Sequence, residues 1–199
     1  MLRLGLVLAV VILLFGSGPV LADGITDTFT GVVASDSTTD LGNFFSSTNA
    51  NLAGQAFTMV FNLDPTVVTG MTFVTSGVTG TLMIDGVTQT LDVSGFGFIG
   101  TPSGGLTEIE LLAAGAGGQA IGVDLFTTAA LTPDLGTAFA PITSAGIASS
   151  AANFTDPGSG ENLDLTVQSV NVTTPEPGSL ILVLAGLIVV GILLRRNAA

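Results

Sequence analysis

Val78-Thr-Gly-Thr-Leu-Met-Ile84-Asp85-Gly86-Val87-Thr-Gln-Thr-Leu91 is the stretch on which the fold class turns. Val78, Gly80, Leu82 and Ile84 alternate with Thr79, Thr81 and Met83, and the same period of two resumes at Val87, Gln89, Leu91 and Val93. Alternation at that period places one set of side chains on each face of a strand. Asp85-Gly86 is the two-residue connection that suits a type I′ turn, so the segment predicts an antiparallel hairpin.

The same pattern recurs on both sides of the hairpin. Upstream, Phe57, Met59, Phe61 and Leu63 share a face in Gln55 to Leu63, and Asp64-Pro65 then stops the strand. Downstream, Thr107 to Leu112, Ala120 to Thr127 and Leu163 to Val172 are further strand candidates. Segments around Ser35 to Phe45, Gly115 to Gln119 and Thr132 to Gly158 read as loops, the last with some strand. Heptads and long 3.6-period stretches are absent. The expectation is an all-β body, an antiparallel β-sandwich or jelly-roll-like barrel, occupying one domain of about 150 residues.

Composition removes most catalytic chemistry. The 199 residues contain no Cys, His, Trp or Tyr, and the basic residues are Arg3, Arg195 and Arg196 alone. Zinc fingers, thiol nucleophiles, imidazole-dependent triads, Schiff bases and P-loops are therefore excluded. All the acids except Glu176 lie between Asp23 and Thr174, where there is no base, and the chain carries a formal charge of −12. Phosphate affinity depends on Lys and Arg, so nucleic acid is not a partner. A body charged with one sign repels its own copies and suits a hydrated exterior.

Two processing segments frame that body. Met1-Leu2-Arg3, an apolar run from Leu4 to Phe15, and small residues up to Ala22 have the three parts of a secretory signal, predicting residues 1–22 as signal peptide with cleavage after Ala22. Such a signal implies the Sec translocon and signal peptidase. At the other end, Thr174-Pro175-Glu176-Pro177-Gly178 leads into an uncharged stretch from Ser179 to Leu194, then Arg195-Arg196. As a helix this stretch spans roughly 24 Å, close to a hydrocarbon core once arginines snorkel. By the positive-inside rule, Arg195 and Arg196 set orientation and leave the acidic body outside. Pro175 and Pro177 hold Glu176 in an extended strip.

With these residues in view, the tail resembles a PEP-CTERM sorting signal, carried by Pro175-Glu176-Pro177, the Gly186- and Gly191-containing apolar helix and the terminal arginines. The opening of the body, from Phe29-Thr-Gly-Val-Val through Asp40-Leu-Gly-Asn-Phe-Phe to Asp64, is similar to openings of proteins with this tail. Thr174 departs from the pattern, in which an apolar residue more often precedes the motif. The resemblance implies an exosortase substrate of a Gram-negative, exopolysaccharide-producing bacterium. Its implied course is export, retention in the inner membrane by residues 174–199, and cleavage near Pro175-Glu176-Pro177 by an exosortase-like membrane protease or transpeptidase. Release to the cell surface or the extracellular, biofilm-associated matrix follows.

Within the body, residues 23–173, candidate chemistry is sparse. Gly95-Phe-Gly-Phe-Ile-Gly100 has the letters of a dinucleotide fingerprint, but Thr101-Pro102-Ser103-Gly104-Gly105 opens no helix, so it reads as a Gly-rich strand or bulge packing Phe96 and Phe98. Glu108 and Glu110 share a strand face about 6.8 Å apart, a separation that overlaps an inverting glycosidase pair. Ile109 and Leu111 facing the core leave those glutamates facing water, and no catalytic residue or enzyme activity is expected. Asp156, Glu161 and Asp164 with Asn162 form an oxygen-rich loop that Ca²⁺ could use, although the spacing fits no known calcium repeat and solvated turn acids are the default. Asn153-Phe-Thr155 and Asn171-Val-Thr173 match the N-glycosylation sequon.

The functional expectation is a non-enzymatic surface or matrix protein without a resident cofactor. The alternatives are a carbohydrate-binding or Ca-dependent adhesion domain delivered by the same tail, or a plain single-span surface protein.

Overall fold

The computed structural model describes residues 24–35, 40–46, 50–101 and 104–173. Gly24–Thr174 forms one compact unit, and residues 1–23 and 174–199 lie outside the described residues. The expected signal peptide, its Ala22 cleavage point, Pro175, Glu176, Pro177, the membrane helix and Arg195-Arg196 therefore lie outside the described residues. No helix among those described is long and apolar enough to cross a membrane.

The body is all-β. Its strands are β1 (Ile25–Val33), β2 (Ala56–Leu63), β3 (Phe73–Val74), β4 (Val78–Ile84), β5 (Val87–Leu91), β6 (Ser94–Gly100), β7 (Thr107–Ala114), β8 (Ala120–Thr127), β9 (Ile142–Thr143), β10 (Ile147–Asp156) and β11 (Glu161–Thr173). One short helix, α1 (Pro65–Val68), follows β2, with Asp64 as its cap accepting the Thr66 N–H. Ten strands run in the order β3-β6-β7-β8-β10-β11-β1-β2-β4-β5, every pair antiparallel, and β9 pairs with β11 beside this path.

The expected sandwich or jelly roll gives way to one continuous sheet curled into a half-barrel. Two meanders, β1-β2-β4-β5 and β6-β7-β8-β10-β11, are joined by the pairing of β1 with β11. Local alternation marks each strand but cannot reveal that seam between the two ends of the body. The curl brings β4 onto β7 and β8: a Cβ built on Gly80 would lie 2.6 Å from Ile121 Cδ1 and 2.9 Å from Ala113 Cβ. Glycine here lets the two wings approach. At Gly31 the β1–β11 register slips, and any side chain would run into the Thr166 carbonyl.

Inside the curl sits a core of alternating residues, including Phe29, Phe57, Phe61, Leu82, Ile109, Leu111, Ile121 and Phe154. Phe29 and Phe61 meet edge to face at 5.9 Å between centroids. In the β1–β2 connection, Phe44 and Phe45 each pack on Phe154 at 5.2 Å between centroids. In the chain following β8, Leu135 is buried against Gly97 and hydrogen-bonded through its N–H to the Met71 carbonyl.

The hairpin holds as expected, with positive φ at both Asp85 (51°) and Gly86 (79°). Three local expectations change. Val93 lies beyond β5 and is exposed. Thr132 to Gly158 contains a complete ten-residue strand, β10. In β6, Gly95 and Gly97 face inward and Phe96 and Phe98 are only half-buried on the outer face, because Val78 and Leu135 already occupy the space inside those two glycines.

Candidate functional site

The outer face of the sheet holds a trough of about 490 Å³. Register builds it. One row crosses five strands as Phe96, Leu112, Gly122, Asn153 and Asp164, each the cross-strand partner of the next. A second row runs Phe98, Glu110, Asp124 and Ala151. Gly122 and Ala151 put little volume into the middle and form the floor. Phe96 and Leu112 stand at one end of the first row, and Asn153 and Asp164 at the other.

Glu108 and Glu110 lie on the outer face, as the inward-facing Ile109 and Leu111 require. The register adds what spacing along one strand cannot: Asp124 of β8 sits directly opposite Glu110, and Phe126 opposite Glu108. Partial burial, then the nearby charges of Asp124 and Glu110, push the Glu108 carboxyl above its ordinary range. Burial likewise raises Asp124, whose Oδ1 is buried without a hydrogen-bond partner. The charges of Asp124 and Glu110 act on Glu108, and no basic residue occurs among the described residues to offset them.

The candidate calcium residues separate. Asp156 and Glu161 are cross-strand partners facing inward at the turn end of the β10–β11 hairpin, whereas Asp164 points to the outer face and joins the trough. The Asp156 carboxylate accepts the Ser159 hydroxyl at 2.6 Å and the Ser159 N–H at 2.7 Å, and these bonds lower its pKa. Glu161 is 2 % exposed; its Oε2 accepts the Gly42 N–H at 3.1 Å and its Oε1 has no partner. Burial pushes the Glu161 carboxyl up, N–H groups of Gly42 and Leu41 oppose this, and the charges of Asp40 and Asp156 add to it. Among the described residues, no three acidic side chains converge closely enough to hold a metal ion.

Two buried acids were not singled out by sequence. Asp40 is fully buried and accepts the N–H groups of Phe44, Phe45 and Ser46 at 2.7, 2.8 and 2.7 Å, with the Ser46 hydroxyl at 3.1 Å. It folds its own loop over the core. Asp27 is 4 % exposed, lies between Phe61 and Val172 on the inner face, and has an Oδ1 without a partner. Burial raises its pKa to about 7. Its signal was the alternation Ile25, Asp27, Phe29, which puts a carboxyl in line with two core residues.

The chemistry available on the outer face is hydrogen-bond acceptance and negative charge beside apolar rings. Glu108 and Glu110 stand side by side on one strand rather than across a cleft. No family model, no curated protein and no solved structure matches the chain.

Proposed function

We propose that the chain is an exported, non-enzymatic surface or extracellular-matrix protein, sorted and processed through Pro175-Glu176-Pro177 by an exosortase-like membrane protease or transpeptidase. One coincidence carries this reading. The compact unit spans Gly24–Thr174, and the processing points read from sequence, Ala22 and Pro175, fall just outside its two ends. β11 ends at Thr173, so the motif follows the folded body almost immediately. In this scheme residues 1–22 direct export, residues 179–194 hold the precursor in the inner membrane, and Arg195 and Arg196 fix its orientation.

Intact-mass analysis of membrane and released fractions tests the scheme, comparing the natural chain with Glu176→Ala in the native host. The expected result is a released body lacking Ser179 to Ala199 and a mutant retained at full length. Equal retention of both with intact tails overturns processing and leaves a single-span surface protein. The trough favours a second role for the released body, carbohydrate binding, because it combines acceptors with the apolar Phe96 ring and Leu112 on an open face.

A further inference from the structure

The geometry points to the trough as a binding site for a linear polysaccharide of one class, an amino-sugar chain whose amines are free and cationic. This assignment deepens the matrix reading above and takes its biological sense from export, although its chemistry stands on the trough alone.

Shape argues for an oligomer. The first row crosses four strand spacings, roughly 19 Å, and the trough volume of about 490 Å³ is within the usual range for ligand sites. Pyranose rings present an apolar C–H face and a polar edge. Phe96 and Leu112 supply an apolar wall for the first, and Asn153 with the carboxylates supplies acceptors for the second.

Charge selects the class. A neutral sugar hydroxyl could donate to the Glu110, Asp124 or Asp164 carboxylates that line the trough, yet it would leave their negative charge, which also acts on Glu108, in place. An ammonium group donates and neutralises together, and a charge-assisted bond is the stronger one. Other occupants fit less well. A divalent ion lacks three convergent acids among the described residues, and a second copy of this body brings more negative charge to the same face.

The test is calorimetric titration of the full-length chain, held in mild detergent at pH 6 and low salt, with glucosamine hexamer, N-acetylglucosamine hexamer and hexalysine. The expected result is binding of glucosamine hexamer, with the acetylated hexamer and hexalysine each at least tenfold weaker. Asp124→Asn and Phe96→Ala should each weaken binding about tenfold, or about 1.4 kcal/mol. Gly122→Leu, which fills the floor, should abolish it. Asp85→Asn removes an equal charge at the hairpin tip and should change nothing, while far-UV circular dichroism checks that each variant is folded. Equal binding of the acetylated hexamer overturns the cationic assignment, and equal binding of hexalysine overturns the glycan assignment. No binding by any probe, or equal damage from Asp85→Asn and Asp124→Asn, overturns the site itself. None of these outcomes depends on processing at Glu176.

Discussion

Replacing Asp27 with Asn should remove a pH dependence that the fold carries in its core. Asp27 is 4 % exposed, and burial moves its pKa from 3.8 to about 7. Folding therefore favours the protonated acid. The folded state holds this proton more tightly than the unfolded state, so its stabilising contribution is complete below pH 3.8 and is lost as pH rises through about 7. With about 1.36 kcal/mol for each pH unit between the two values, the whole effect approaches about 4 kcal/mol, of which about 2.5 kcal/mol falls between pH 5 and pH 8. Urea unfolding followed by far-UV circular dichroism suits a chain lacking Trp and Tyr. Raised carboxyls at Glu108, Asp124 and Glu161 add slopes of the same sign, but they are common to both proteins and cancel in the difference. The natural chain should lose about 2.5 kcal/mol relative to Asp27→Asn over that interval. Parallel stability curves for the two proteins would refute the account of a lone carboxyl in apolar surroundings.

Asp40→Ala should cost about 3 kcal/mol, lowering the melting temperature by roughly 10 °C in calorimetry, because it strands the N–H groups of Phe44, Phe45 and Ser46. Gly80→Ala should destabilise by about 1–3 kcal/mol through its clash with Ile121 and Ala113. Adding Ile121→Val removes the clashing Cδ1 and should recover part of that loss in a double-mutant cycle. Gly86→Val should cost about 1–2 kcal/mol in urea midpoints, since φ there is 79°.

Strands with large residues on one face were legible, as in β2, where Phe57, Met59, Phe61 and Leu63 are all buried. β10 was not, because its inward side chains are mainly Ala152, Phe154 and Asp156 and its remaining small residues leave no contrast between faces. Period alone could not assign the faces of β6. Phe96 and Phe98 look like core, and only the positions of Val78 and Leu135 turn them outward. The trough was least legible. Glu110 was visible in its own strand, while Asp124, Asn153 and Asp164 join it through the β7–β8, β8–β10 and β10–β11 registers, which alternation within one strand does not fix.

The seam between β1 and β11 also governs how the body bears load. Thr26 lies opposite Thr173, so the chain enters and leaves the sheet side by side at one end. Tension applied between those two points acts across the ladder and breaks its hydrogen bonds one after another, like a zipper. Tension that reaches only the Thr173 end, with the entering end free, passes no force through the fold. A module of this kind is suited to hanging from a single attachment, and stringing it through both ends would open it at the seam first.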